Sequence, residues 1–391
     1  MDRKALAVAL GVFMVSYGTN VSTPFLTLYR DRLDLSANAT QLIFVVYVLG
    51  IVASLLIAGQ LSDRFGRKPL LIGSLAVSAV ASLLLIQGRD SYGYLIAGRV
   101  LLGVVSGAGL GVGAAWFQEI MGAGNELKAA LIATAVTYGG FGAAPPISVI
   151  YEWIGSSPLV VPFLLHVVLT LLAIPAVSRV PETVDVRAAA ARGPWRPGLR
   201  LGVPAAARRG FLWYVAPLAI LVFAFPSTAF SLFPVLLSDA IPGKEVLLTG
   251  VSGSLTAWSG LVARSFLQRV SYRTAMGWGA AIGSVGYLLG TIAFATNGWP
   301  LVWPAAIVLG AASGIMSTAG LTFVGEMTTD EQRGALTSTF YLVAYLGMTM
   351  PLLISGLSGF FGTTSVLIAI TALAAILAAT APTRAQAAGL T

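Results

Sequence analysis

Between two uncharged apolar stretches stands Gly59-Gln60-Leu61-Ser62-Asp63-Arg64-Phe65-Gly66-Arg67-Lys68-Pro69. Asp63, Arg64, Arg67 and Lys68 fall within six residues, while roughly 38 to 61 before them and 69 to 87 after them carry no charge. Each flanking stretch is about as long as the 20 apolar residues an α-helix needs to cross a bilayer. Gly66 permits a sharp reversal of the backbone, and Pro69 suits the first turn of a new helix. The stretch therefore reads as a tight, basic connection between two membrane helices.

The rest of the chain extends the same pattern. Of 391 residues, 57% are hydrophobic and 10% charged, against about 25% charged in an ordinary soluble domain, and mean hydropathy is +0.87. The spans predicted are roughly 6 to 28, 38 to 61, 69 to 87, 94 to 118, 129 to 151, 158 to 178, 211 to 238, 245 to 263, 274 to 295, 299 to 325, 335 to 357 and 363 to 381. The fold class expected is thus an all-α integral membrane protein with twelve transmembrane helices, leaving no room for a sizeable soluble catalytic domain. Cysteine is absent, which excludes disulfides, thiol nucleophiles and iron–sulfur centres, and a lone histidine, His166, argues against a metal site. Glycine-rich strings occur only inside lipid-length stretches, and no Walker A motif is present, so no nucleotide is expected.

Charge placement orients the chain. With the amino terminus inside, 18 of the 23 Lys and Arg residues are cytoplasmic; Arg30, Arg32, Arg89 and Lys244 are external and Arg99 lies within a span. This is a strong positive-inside bias, so both termini are expected in the cytoplasm and the net charge of +8 calls for no nucleic-acid partner. Asp2, Arg3 and Lys4 precede an apolar run longer than a signal-peptide core, which reads as a retained first helix. Residues 179 to 210 break the apolar rhythm with Pro181, Pro194, Pro197 and Pro204 and seven arginines. The domains expected are 1–178, an amino-terminal six-helix bundle; 179–210, a cytoplasmic linker; and 211–391, a carboxy-terminal six-helix bundle. The linker reads as a solvated tether, with an amphipathic helix on anionic lipid as the alternative.

The two halves repeat. Leu102-Gly103-Val104-Val105-Ser106-Gly107 matches Leu309-Gly310-Ala311-Ala312-Ser313-Gly314, and Glu119 falls on Glu326 at the same offset. Glu126-Leu127-Lys128-Ala129-Ala130-Leu131 matches Glu331-Gln332-Arg333-Gly334-Ala335-Leu336, and Pro145 lies near the place of Pro351. Parallel halves with a ligand site between them recur among secondary transporters, where one half rocks against the other.

The pattern G-x-x-x-D-R-x-G-R-K, from Gly59 through Asp63, Arg64, Gly66 and Arg67 to Lys68, resembles the signature loop of the major facilitator superfamily. Within it the chain is most similar to the twelve-helix bacterial drug/proton antiporters of multidrug efflux. The resemblance implies two pseudo-symmetric six-helix bundles and transport by alternating access. Topology places Glu119 to pair with Arg67 or Arg64, either as a latch broken in each cycle or as a static determinant of topology. The second half offers Arg269 or Arg273 with Glu326, without the acid and glycine of the first loop.

Gly98-Arg99-Val100 and the glycines that follow resemble the family's fourth-span motif, which implies a role for Arg99 in coupling and substrate binding; a structural arginine on backbone carbonyls is the alternative. Gly103, Gly107 and Gly111 read as a packing stripe. Gly142, Pro145 and Pro146 are similar to the antiporters' fifth-span motif, with Ala144 where glycine usually precedes the proline. Asn20, ahead of Pro24, occupies a place where some drug/proton antiporters carry a carboxylate. The groups left to carry a proton are Asp31, Asp34, Glu119 and His166, and Tyr17, Asn20, Tyr138, Trp258, Tyr341 and Tyr345 are candidates to line an amphiphile-binding cavity.

Function is expected to be proton-coupled efflux of a small amphiphile across the bacterial cytoplasmic membrane, by a monomer that holds no cofactor and draws on the proton gradient. Transport of a sugar, amino acid or other metabolite is the alternative, and a membrane enzyme or receptor the alternative of another class.

Overall fold

In the computed structural model, the residues described are 2–122, 124–155, 157–191, 201–205, 207–265 and 272–387. Among them there is no strand, and twelve helices are long and apolar enough to cross a membrane. These are Arg3–Arg32, Ala37–Phe65, Arg67–Gln87, Tyr92–Met121, Lys128–Tyr151, Val161–Ser178, Arg208–Leu236, Glu245–Arg264, Thr274–Ala295, Trp299–Glu326, Gly334–Phe361 and Thr363–Ala387, the first to the twelfth span. The chain is an all-helical, multi-pass membrane protein. The main departure from the expected bounds is in the first span, which continues through a 3-10 turn at Thr23–Phe25 and takes Asp31 into its final helical turn.

Helices are the form this sequence must take in lipid, because hydrocarbon offers no partner to a backbone amide or carbonyl. Hydroxyls inside the spans meet the same constraint locally: Ser16, Thr19, Ser54 and Thr256 each donate to the carbonyl four residues earlier. Large apolar side chains such as Leu172 and Phe360 remain exposed on the helix surfaces, as lipid-facing positions require. Not every span is regular. The fourth opens into a wide π turn at Ser106–Leu110, and the seventh has π turns at Phe211–Val215 and Thr228–Leu232. The tenth, by contrast, is one unbroken α-helix over Val302–Glu326.

The chain forms two compact units, Met1–Leu35 with Val46–Leu199 and Ser36–Val45 with Arg200–Thr391. Residues 36–45, which open the second span, thus pack in the second unit, where the Gln41 amide donates to the Ser231 carbonyl and Phe44 meets Phe230 edge to face. In the first unit the second span packs on the fourth, the third on the fourth and sixth, and the first on the fifth. Six spans later the pairings recur: eighth on tenth, ninth on tenth and twelfth, seventh on eleventh. Glycine enables the closest of these contacts. A Cβ on Gly103 would lie 2.0 Å from the Tyr47 carbonyl oxygen, and one on Gly310 would lie 2.3 Å from that of Thr256.

The linker departs from the expected solvated tether over its first third. Val180 and Ala189 are buried, and a short helix, Val186–Ala191, begins at Asp185, whose carboxylate accepts from the Arg187 and Ala188 amides. Arg192, Arg196 and Arg200 lie outside the described residues.

Candidate functional site

The loop Gly59–Pro69 carries a dense network of polar contacts among the described residues of the first unit. The second span ends at Phe65, and Gly66 turns the chain with φ +100°, a left-handed value that suits glycine. A Cβ there would also lie 2.3 Å from Glu182 Oε2, so Gly66 is required twice over. Arg67, the first residue of the third span, then reaches three groups. It pairs with Asp63 at 2.7 Å, donates to one Glu119 oxygen through Nε and Nη2 at 3.2 and 3.1 Å, and bonds the Ser62 hydroxyl. The Arg67 side chain is 15% exposed and Asp63 64%, so the Glu119 contact is the better shielded of the two ion pairs and the less weakened by water.

The structure thus brings Glu119 to Arg67. Arg64 turns instead to the linker, where it donates to the Ala189 carbonyl, and Lys68 Nζ donates to the Ser178 carbonyl at 3.2 Å. Gly59 lies one helical turn before Asp63, with nothing within 4 Å of where its Cβ would be.

Two residues of this site escaped the sequence reading. Glu182 accepts the backbone amides of Arg67 and Lys68 at 3.0 and 2.9 Å, together with those of Thr183 and Val184. Partial burial pushes its carboxyl up, but those backbone donors outweigh burial and hold it below the usual carboxylate range. Thr183 donates to the second oxygen of Glu119. The sequence signal was an acid just past the sixth span, while Gly66 left a helix start with no side chain to cap it.

In the second half, Arg269 lies outside the described residues and the side chain of Arg273 is likewise undescribed. Glu326 is exposed at the end of the tenth span. Arg264, which closes the eighth span, donates to the Ser317 hydroxyl of the tenth.

Within the spans, Arg99 is 2% exposed. It donates to the Thr19 carbonyl at 3.3 Å and the Ser22 hydroxyl at 3.4 Å, and its guanidinium carbon lies 5.0 Å from the centre of the Tyr47 ring. Thr19 is in turn 2.7 Å from the Ser106 hydroxyl, so residues of the first, second and fourth spans enclose the cation. A desolvated guanidinium needs such acceptors and a ring face in place of water.

His166 is wholly buried and bridges three spans: Nδ1 is 2.7 Å from the Ser82 hydroxyl and Nε2 is 3.2 Å from the Met14 carbonyl. A carbonyl only accepts, so Nε2 carries the hydrogen and Nδ1 accepts from Ser82. Asp31 and Asp34 are exposed at the end of the first span remote from the Asp63 loop.

Asn20 has a definite task. Pro145 and Pro146 lie inside the fifth helix, and Pro145 lacks the N–H that would pair with Phe141 four residues earlier. The Asn20 amide donates to that Phe141 carbonyl at 3.1 Å and its oxygen accepts from Thr23. Gly142 is buried in the same turn.

The six aromatic and amide candidates do not share one environment. Tyr17 is 2% exposed, stacked on Phe13 and tilted against His166, so it belongs to the interior of the first unit. Tyr138 meets Phe141 edge to face. In the second unit Tyr345 stacks on Phe223 with centroids 4.6 Å apart and Tyr341 lies 6.2 Å from Tyr345, while Trp258 is 45% exposed.

Comparison with known proteins agrees with this geometry. The family model for the Major Facilitator Superfamily matches residues 8–274. Over 94 residues the chain is 36% identical to Multidrug resistance protein MdtL of Klebsiella pneumoniae subsp. pneumoniae, covering 24% of each chain. Over 108 residues it is 31% identical to the Bacillibactin exporter of Bacillus subtilis, covering 27% of each. The matches thus span about a quarter of the length of these curated relatives. Among solved structures, the POT family transporter PepTSo superposes with a TM-score of 0.77 over 100% of this chain and 99% of its own, at 14% identity, a likeness of fold.

Proposed function

The chain belongs to the Major Facilitator Superfamily, and from that premise we propose that it exports small amphiphilic molecules in exchange for protons across the bacterial cytoplasmic membrane, with both termini inside. It is a membrane transporter rather than an enzyme. The direction and substrate class proposed rest on the partial likeness to proteins named Multidrug resistance protein MdtL and Bacillibactin exporter.

The observation that carries the mechanism is Arg67 held between Asp63 and Glu119. It joins the start of the third span to the end of the fourth through contacts that water can replace, which is what a latch broken once per cycle requires. If Asp63→Asn or Arg67→Ala leaves both transport and the balance of access states unchanged at normal protein levels, the latch is only a topological determinant.

Arg99 is the proposed link between coupling and substrate. Its bonds to the Thr19 carbonyl and Ser22 tie the fourth span to the first, so a substrate or proton that displaces the first span must also move the cation. With Arg99 buried and no carboxylate deep in any predicted span, neutral or weakly acidic amphiphiles are favoured over dications. The reading is tested with purified protein in liposomes, by following a panel of neutral, acidic and dicationic compounds with and without an imposed pH gradient. Gradient-driven accumulation of neutral compounds is expected; transport insensitive to the gradient, or stronger for dications, would refute it.

A further inference from the structure

Inside the first unit, apart from the charged loop, lies a polar seam between the first, third and sixth spans. His166 of the sixth accepts at Nδ1 from the Ser82 hydroxyl of the third, and donates from Nε2 to the Met14 carbonyl of the first. One turn away on the same two helices, Ser78 and Thr170 are wholly buried, and their hydroxyls have no hydrogen-bond partner among the described residues. The Tyr17 hydroxyl is buried in the same condition, and its ring centroid is 5.8 Å from that of the imidazole. Gly18 makes room for this seam. A Cβ there would strike Nε2 and lie 2.8 Å from Ser78 Oγ, so the free hydroxyl and the imidazole adjoin. A buried hydroxyl left unpaired is costly, and three around one imidazole call for a reason other than packing.

We propose that His166 is the seat of the exchanged proton. The inference rests on reading the chain as an exchanger of protons for an amphiphile. The Met14 carbonyl only accepts, so Nε2 keeps its hydrogen in both states and the arriving proton goes to Nδ1. Ser82 permits this, because a hydroxyl both donates and accepts. Its oxygen takes the new Nδ1–H, and its own hydrogen turns to the carbonyl of Ser78 four residues back, the kind of bond Ser16 and Ser54 make in their helices. One hydroxyl rotation changes the state of the seat. The Tyr17 ring lies close enough to attract the imidazolium, and the Ser78 and Thr170 hydroxyls are free to pass the proton on.

Residues 5–29, 69–87, 129–151 and 161–178, which pack around the seat, contain no Asp, Glu, Lys or Arg. Their ionisable groups are Tyr17, Tyr29, whose hydroxyl donates to the Leu85 carbonyl, and Tyr138 and Tyr151 of the fifth span. The fourth span, also packed on the first, adds Arg99, with Tyr92, Tyr94 and Glu119 nearer its ends. Arg99 is the charge that answers the proton. It donates to the Thr19 carbonyl and His166 to the Met14 carbonyl, five residues or about 7.5 Å apart along one helix. A protonated His166 thus sets a second cation against the same stretch of the first span, with no carboxylate between them to screen the repulsion. Gaining the proton loosens the hold of Arg99 on the first span, and losing it restores that hold.

His166 is the lone histidine of the chain, so full-length protein isotope-labelled only in its histidine ring nitrogens gives a single pair of NMR signals. In lipid nanodiscs the Nε2–H tautomer is expected at high pH, with one protonation step above about pH 5, on the approach to the ordinary imidazole value of about 6.5. Saturating chloramphenicol, an amphiphile that does not titrate in that range, should lower the midpoint by about one pH unit, a tenfold mutual weakening of the two ligands. An imidazole that stays neutral down to about pH 5, or a midpoint that bound chloramphenicol leaves in place, overturns the proposal. His166→Gln keeps a donor and an acceptor and cannot titrate. In liposomes it should lose about tenfold or more of the flux driven by an imposed pH gradient, and less of the exchange of labelled for unlabelled compound, which needs no proton. Gradient-driven flux at the unaltered rate in that variant would assign His166 to structure alone. Should the variant fail to fold, the ring titration, made on the unaltered protein, decides. If the unaltered protein neither binds nor moves chloramphenicol, the efflux reading fails while the same titration still decides the proton seat.

Discussion

The fourth and tenth spans share a short pattern of sequence, and they use it differently. Gly103 and Gly310 do the same work, since each lets its helix touch the backbone of the neighbour two spans earlier. At the same offset Arg99 falls on Ala306, which is wholly buried in the apolar core of the second unit. The proline of the fifth and eleventh spans shows the same divergence. Pro145 frees the Phe141 carbonyl, and a side chain from another span, Asn20, meets it. The residue four before Pro351 is Gly347, whose carbonyl is met by the Met350 amide as the helix tightens into a 3-10 turn. The close glycine contacts are common to both halves, while a buried arginine at this place and a side chain from another span on the proline-freed carbonyl occur in the first.

The comparison is most sharply tested at its shared element. Gly103→Val and Gly310→Val each drive a side chain into a backbone carbonyl that cannot rotate away, so each should destabilise by about 3 kcal/mol or more. Thermal melts of the two purified variants should agree; a large inequality would break the packing equivalence. Next come the divergent positions. Ala306→Arg should lower stability by roughly 2.5 to 3.5 kcal/mol, the scale for a cation placed mid-span without prepared partners. Arg99→Ala should leave protein abundance normal and abolish transport, measured as dye flux in liposomes. Near-normal flux would assign Arg99 to structure alone.

Asn20→Asp gives a smaller and pH-dependent effect. A carboxylate cannot donate to the Phe141 carbonyl, whereas the protonated acid can, so the variant should be near normal in acid and lose about 1 to 3 kcal/mol as pH rises. Melting curves that stay parallel to those of the unaltered protein at every pH would remove Asn20 from this role. The smallest change is expected at Glu182. Its carboxyl is held below the ordinary range, so its contribution is present above the unfolded value of about 4.3 and is lost only as pH falls through the lower folded one. Exchange at the Arg67 and Lys68 amides, which Glu182 accepts, should therefore show no Glu182-dependent change between about pH 5 and about pH 8, once corrected for intrinsic rates.

Hydropathy and charge placement made the twelve spans legible, because a bilayer leaves so few choices to the backbone. The loop was legible for a related reason: Gly66, Pro69 and four charges have little meaning except at a turn between helices. Topology alone was enough to bring Glu119 near Arg67. It was not enough for Glu182, because a stretch rich in proline and arginine reads as solvated until the helix end it caps is placed beside it. Asn20 was legible as an amide in an acid's place, but the carbonyl that gives the amide its use is on another span. The packing of Tyr17 against Phe13 and His166 was not legible, because aromatic spacing along a helix does not say which neighbours a ring meets. The π turns left no mark in the periodicity at all.

One of those π turns settles a geometric question. The wide turn at Ser106–Leu110 takes up one residue more than an α turn does, and the tenth span has no such insertion over Val302–Glu326. Because successive α-helical residues are about 100° apart around the axis, Glu119 and Glu326 occupy matching places in the sequence and different azimuths on their helices. Deleting Ala108 should let the wide turn close to an ordinary α turn and leave Glu119 facing Arg67, whereas deleting Ile315, its counterpart in the regular tenth span, would rotate everything after it by that angle.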